Sequence, residues 1–268
     1  MFARFLAALA LLFCFAMPAQ AAPQHFTFDS KTLVLQGEVN GESVAKIEAA
    51  LLESKDAEVT LYIASPGGSI MDGMALADLI RDSGKKVKCV AGFAASMAFA
   101  ILQSCQERYV LDHSLLMQHV PSYGLNGQEP NNWSMANLIH RLSKRMDQFQ
   151  ADRLGMTLAA FRAHVRNDWW MYGADAVENK AADEVATASC TPELTKQRRK
   201  ETQQTLFWTV NVEYSACPLI DAPLKVEATN IGTPSPEGQK EYKKIMDKLN
   251  VRSYLEQLFN KRDDSDEE

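Results

Sequence analysis

Positive charge is what this sequence lacks most: Lys and Arg number 28 against 34 Asp and Glu, a net charge of -6. The acids collect in the terminal run Asp263-Asp264-Ser265-Asp266-Glu267-Glu268. Nothing offers an electrostatic footprint for a phosphate backbone, which excludes nucleic acid as a partner. No Cys, His and carboxylate cluster shows ligand spacing, so neither a metal nor an organic cofactor is implied. There is no internal repeat, and beyond the first stretch no apolar run approaches membrane-spanning length. Cysteine is sparse, 5 in 268 residues. With 46% hydrophobic and 23% charged residues, the chain is no disordered polymer and is long enough for one substantial core with something appended.

The first residues speak to the compartment. Arg4 is a short positive region, Phe5 to Met17 an apolar stretch too short to span a bilayer comfortably, and Ala19-Gln20-Ala21 a small-x-small cleavage site. These read as a secretory signal peptide over 1–21, and the expected location is exported, in the periplasm. An uncleaved anchor is the rival, and bulky Phe13 disfavours a lipoprotein site at Cys14. Cleavage removes Cys14 and leaves Cys89, Cys105, Cys190 and Cys217, an even number in an oxidising compartment. Of the three connectivities we favour Cys89 with Cys105 and Cys190 with Cys217, since each closes a short loop. Four buried free thiols are the alternative.

Periodicity gives the layout of the mature chain. After a short start, Thr32 to Gln36 reads as a strand, Glu42 to Ser54 as a helix, Val59 to Ile63 as a strand broken at Ser65-Pro66-Gly67-Gly68, and Ile70 to Gly84 as a helix and its stop. The pattern repeats with a strand at Val87 to Ala91, a turn at Ser96, a helix to about Gln103, and short strands at Tyr109 to Leu111 and Leu115 to Gln118. Such alternation predicts an α/β layered domain with a largely parallel sheet, flanking helices and ligands beyond the strands' carboxyl ends. A loop at Ser122 to Asn132 leads into a long amphipathic helix ending near Gly155, then a helix from Thr157, the run Asp168-Trp169-Trp170-Met171, and a helix at Ala174 to Asn179. We place the main domain at 22–190 and a small C-terminal extension, of no assignable chemistry, at 191–268. Within it Gln197-Arg198-Arg199-Lys200 reads as a polar joint, Leu206 to Tyr214 as a half-buried strand, Asn230 to Pro236 as a linker, and the residues from Ser235 as a helix carrying Tyr242, Ile245, Met246 and Leu249.

One stretch carries the candidate chemistry. Gly92-Phe93-Ala94-Ala95-Ser96-Met97 sets one hydroxyl among small residues where a strand turns into a helix, an arrangement that projects the serine oxygen from a tight backbone. Small-residue runs also serve close helix packing. A serine needs a base and a carboxylate to orient it. His119, ending the strand Leu115 to Gln118, is better placed than His25, His113, His140 or His164, although a hydrogen-bonded core histidine would look the same. Asp168 precedes two tryptophans, an apolar setting in which a carboxylate wants a partner; a plain helix-end carboxylate is its other reading. Gly67-Gly68 lets backbone approach a ligand, or is simply a turn.

In this order, Tyr62-Ile63-Ala64-Ser65-Pro66-Gly67-Gly68, Gly92-Phe93-Ala94-Ala95-Ser96-Met97 and Met117-Gln118-His119-Val120-Pro121 resemble the signatures of the Clp protease proteolytic subunit, the ClpP family of serine peptidases within the ClpP/crotonase fold. The likeness runs from about Leu33 to Val185, and Asp168 falls where the family's triad aspartate precedes its Ala-Val helix. The resemblance implies Ser96 as nucleophile, His119 as base then acid, Asp168 as orienting carboxylate, and the amides of Gly68 and Met97 as the oxyanion hole. Ala98 and Val120 stand where the family usually has Gly and Gln, and Ser122 to Gly127 replaces its Gly-rich segment. Trp133 to Asp152 looks like the long helix with which the family builds rings, so a homo-oligomer is open.

The expected function is an exported, ATP-independent serine endopeptidase acting on peptides or unfolded protein, with no unfoldase, since an exported protein has no ATP to hand. The alternative is a catalytically inactive ClpP-like binding or assembly module of the cell envelope, against which the three retained triad residues argue. Crotonase-type acyl-CoA chemistry shares the fold, but CoA is cytosolic. A serine-lysine dyad has no lysine in a matching context.

Overall fold

Apolar runs and amphipathic segments alternate along the chain. In the computed structural model, which describes residues 22–204, 207–230, 239, 240 and 243, they become strands and helices in turn. The first half runs β1 (His25–Phe28), β2 (Leu33–Gln36), α1 (Gly41–Glu53), β3 (Glu58–Ser65), α2 (Ile70–Asp82), β4 (Lys86–Ala95), α3 (Met97–Ser104), β5 (Glu107–Gln118). The second runs α4 (Glu129–Leu154), α5 (Leu158–Val165), β6 (Trp169–Tyr172), α6 (Asp175–Glu178), β7 (Glu184–Cys190), α7 (Pro192–Lys196), β8 (Arg198–Gln204), β9 (Trp208–Ser215), β10 (Lys225–Asn230). Local chemistry sets the helix starts. The Asn40 side chain accepts from the amides of Glu42 and Ser43 while Ser43 Oγ accepts from the Asn40 amide, a reciprocal cap on α1. Ser69 and Thr157 cap α2 and α5 with their hydroxyls.

Seven strands form one sheet in the order β1-β7-β5-β4-β3-β2, with β6 against the far half of β5. Every pairing in it is parallel except β5 with β6. Alternation sends Leu61, Ile63, Cys89 and Ala91 to one face, where they pack with Leu76 and Ile80 of α2 and Phe99 and Leu102 of α3. Tyr62, Ala64 and Val90 face the other way and join Phe26, Phe28 and Ala186. A sheet apolar on both faces must be covered on both. Helices cover the first, and Leu194 of α7 with Leu219 of the segment after β9 packs on the second. The α/β layered, largely parallel architecture expected from the sequence is the one observed.

Two irregularities shape the central strands. Between Ala91 and Phe93 the register slips, leaving Gly92 outside the ladder with β3 and, on the β5 side, Leu111 to Ser114 unpaired with β4. The two short strands expected at Tyr109 to Leu111 and Leu115 to Gln118 are therefore two separately paired halves of β5, the first against β7 and the second against β6.

The extension forms its own antiparallel sheet, β10-β9-β8, around Val210, Val212 and Tyr214. Here the polar joint expected at Gln197 to Lys200 is corrected: Arg198 opens β8, which is held by backbone pairing with β9 rather than by apolar side chains. The long helix likewise begins at Glu129 inside the stretch read as loop, with Pro130 in its first turn. Both favoured disulfides are present. Cys89–Cys105, with Cα atoms 6.0 Å apart, ties β4 to the end of α3, and Cys190–Cys217, at 5.8 Å, ties the segment after β9 to β7. Gln36 also donates to the Asp221 carboxylate at 2.8 Å. Leu206 and the stretches read from the sequence as a signal peptide, a linker beyond Asn230, the body of a last helix and an acidic tail lie outside the described residues.

Candidate active site

Parallel neighbours end on the same edge of a sheet, so the residues just past β3, β4 and β5 meet in space. Those continuations are Pro66-Gly67-Gly68, Ser96 and His119. Ser96 joins β4 to α3 with φ 54 and ψ -119, left-handed backbone that a residue with a side chain rarely adopts. Three successive residues at the end of β5 hold it there. The Met117 carbonyl accepts its N–H at 2.8 Å, the Gln118 side-chain amide donates to its carbonyl at 3.3 Å, and His119 Nε2 lies 2.9 Å from its Oγ. For Nε2 to accept from the hydroxyl, the imidazole must carry its proton on Nδ1. Both side chains are half-buried, so the pair can be reached from solvent.

Asp168 shares the left-handed backbone, with φ 51; among the described residues only Lys180 is a further non-glycine case. Torsions of this kind persist where the surroundings impose them, and they cluster at working sites. Asp168 directly precedes β6, whose last pair with β5 is Gln118 with Trp169. Asp168 and His119 are each the next residue beyond that pair, on the two neighbouring strands. Its neighbour Trp169 stacks on His164, ring centroids 4.4 Å apart, which accounts for His164. His113 bonds the Tyr172 hydroxyl. His25 also meets a serine, Ser189, at 2.9 Å, but its other nitrogen holds Thr187 at 2.8 Å on an exposed strand pair, so both nitrogens are spent on hydroxyls.

The glycine turn is shaped by close approach. A Cβ on Gly67, at φ +92, would come within 2.6 Å of the Ala95 carbonyl and 2.8 Å of the Met97 nitrogen. Gly68 bridges Val39 in parallel fashion: Val39 donates to the Gly67 carbonyl and accepts from the Ser69 amide, both at 2.8 Å. In such a bridge the central residue's own N–H points to the opposite edge. Val39 lies on the β2 side of β3, so the Gly68 N–H faces the β4 side, where Ser96 leads into α3. Met97, first residue of that helix, has an N–H with no intrahelical acceptor.

Over residues 21–189 the chain matches the family model for Clp protease. It belongs to the Clp protease family. The matched segment takes in the whole seven-stranded sheet but for its last residue, Cys190, and leaves α7 and the second sheet outside. The fold is accordingly ClpP/crotonase-like, and membership points to peptidase chemistry. Among the described residues no three His, Cys, Asp or Glu side chains gather as a metal site would require.

Two residues of this site carry no mark in the sequence. Gln118 and Gln150 are buried, and their side-chain amides are bonded to each other beside Ser96. Gln150 is the polar residue among the only fully buried positions of α4, with Ala151 and Leu154. Gln118 shares the parity of Leu116, which faces the helix-covered core, but the unbroken apolar run Leu115-Leu116-Met117 hides that parity in the sequence.

Proposed function

We propose that this Clp protease family member is an exported, ATP-independent serine endopeptidase with Ser96, His119 and Asp168 as its triad. The observation that carries the proposal is the 2.9 Å approach of His119 Nε2 to Ser96 Oγ at the carboxyl edge of the sheet. In the first half-reaction Ser96 Oγ bonds to the scissile carbonyl carbon as its proton passes to His119 Nε2. The C–N bond then breaks, His119 returns that proton to the leaving amine, and an acyl-enzyme ester remains. Water repeats the sequence: its proton goes to His119, its oxygen bonds to the acyl carbon, and the C–O bond to Ser96 breaks as Oγ regains a proton. Asp168, which like His119 directly adjoins the last β5–β6 pair, orients the imidazole and keeps Nδ1 protonated. The amides of Gly68 and Met97 stabilise the tetrahedral oxyanion. The substrate is a peptide or unfolded segment, and self-assembly is supported by the family. No unfoldase is invoked, because residues 1–21 read as an export signal and ATP is absent outside the cytosol.

The test is covalent labelling with a fluorophosphonate probe, which phosphonylates an activated serine with loss of fluoride. Wild type should label, and Ser96→Ala and His119→Ala should not. A folded wild type that stays unlabelled would leave the inactive assembly module as the better reading.

A further inference from the structure

Two buried amides take no part in the proposed acyl transfer. Gln118 is 5% exposed and Gln150 2%, at core-facing positions that a hydrocarbon side chain would fill without losing contact with water. A buried primary amide must be held by partners, and Gln118 is held at every polar atom. Its Oε1 accepts from the His119 backbone N–H at 2.9 Å. Its Nε2 donates to the Ser96 carbonyl at 3.3 Å and to Gln150 Oε1. Gln150 Nε2 in turn donates to the Met146 carbonyl at 3.2 Å within α4. Only one orientation of the Gln118 amide satisfies this set: turned over, its oxygen would face two oxygens and its NH2 would face the His119 N–H.

His119 shares the parity of Met117, whose carbonyl accepts the Ser96 N–H, so its own N–H faces the β4 side just past the last β4–β5 pair, Ala95 with Met117. There the Gln118 side chain, not β4, supplies its acceptor. The same side chain grips the serine whose hydroxyl His119 must reach. We infer that Gln118 is a positioning residue that fixes His119 relative to Ser96, and that Gln150 ties this setting to α4. The inference rests on the Ser96–His119 reading. Without the Gln118 amide, the His119 N–H loses its acceptor and the Ser96 carbonyl keeps only the Ala100 amide at 3.3 Å, so the imidazole and hydroxyl are no longer locked to one another.

The experiment measures fluorophosphonate inactivation of the full chain, separating the maximal rate from probe affinity, for wild type, Gln118→Met, Gln150→Met, Gln150→Glu and the Gln118→Met/Gln150→Met pair. Rates are normalised to the folded fraction by circular dichroism. Misplacing reacting groups by a fraction of an ångström to an ångström costs about 10- to 100-fold. Gln118→Met should accordingly lose about tenfold or more in maximal rate, with probe affinity held within about twofold. Gln150→Met should lose less, and Gln150→Glu, which keeps the acceptor, should recover most of that loss. The double variant should be no slower than Gln118→Met, because both act through one network. A wild-type maximal rate in folded Gln118→Met, or additive losses in the pair, would overturn the inference while leaving the peptidase reading standing. If Gln118→Met does not fold, equal rates for Gln150→Met and Gln150→Glu would overturn it. A wild type that fails to label removes both.

Discussion

Ser96 keeps a side chain at φ 54 and ψ -119, a conformation that costs of order 1–3 kcal/mol and survives only where neighbours impose it. The Gly67 turn is one of those neighbours, fitted so closely that a single methyl would meet the Ala95 carbonyl at 2.6 Å. Backbone cannot yield as a side-chain tip can. Gly67→Ala should destabilise the fold by about 1–3 kcal/mol, from its positive φ and from the clash together, and should depress fluorophosphonate labelling of the molecules that remain folded. Thermal denaturation beside labelling reads both, and a variant that melts and labels like wild type would show that the turn does not hold the serine. The serine itself is legible in the sequence because small residues surround one hydroxyl at a strand-to-helix change, and His119 because it ends an apolar run. Asp168 is marked by its apolar surroundings. Gln118 is not, since Leu115, Leu116 and Met117 are all apolar and leave no alternation to say which face the next residue takes.

Among the elements, the junction of α3, β5 and the entry to β7 is held by one buried guanidinium. Arg108 on β5 donates to Gln103 Oε1 of α3 at 2.6 Å, to the Lys180 carbonyl at 2.9 Å, and through its backbone and side chain to both oxygens of Asp183. Burial pushes the Asp183 carboxyl up, but the hydrogen bonds and charge of Arg108 outweigh it and hold the group below the ordinary carboxylate range. A lowered folded value means that the ionised form is favoured by folding. The stabilisation is thus complete above the unfolded carboxyl value, about pH 4, and is lost as pH falls through the folded one. Asp183→Asn should be less stable than wild type at neutral pH, with the gap closing in acid. Urea midpoints taken from about pH 6 down to about pH 2 would show it, and a gap independent of pH would refute the assignment. The strands of this region differ in how far sequence can find them. β3 and β4 are apolar runs that need no partner to be seen. β1 and β7 pair with each other, Phe28 beside Cys190, across a separation that no local window spans. β8 is hidden for another reason: Arg198 to Gln204 carries no apolar residue and is a strand only because β9 offers it a ladder.

At the scale of the whole molecule, the telling feature is how little of α4 its own subunit covers. Its 26 residues make a rod of about 40 Å, yet no residue of it before Gln150 is fully buried. Trp133 is 65% exposed, Met135 48% and Leu138 41%. Leu125 and Trp133 line an open hollow where the helix begins, and Val120 and Tyr123 on the approach to it are exposed as well. A helix seated on its own subunit chiefly from Met146 onward has little tertiary packing to sustain the remainder, and packing rather than propensity maintains most helices. Apolar surface gathered in this way marks contact with another protein. In a family that assembles into oligomers, the partner expected on this face is a second copy of the chain, and closed symmetric association would bury the same stripe on every subunit. Light scattering after size exclusion should therefore find the mature protein larger than a monomer, and Trp133→Glu with Leu138→Glu should shift it to smaller species while the far-ultraviolet spectrum keeps the signal of the seven-stranded domain. Because Gln150 lies on the same helix, the dissociated variant should also label more slowly than wild type. A wild type that is monomeric at working concentration, or a double variant that stays assembled, would place the contact elsewhere and leave the exposed stripe of α4 for a different partner.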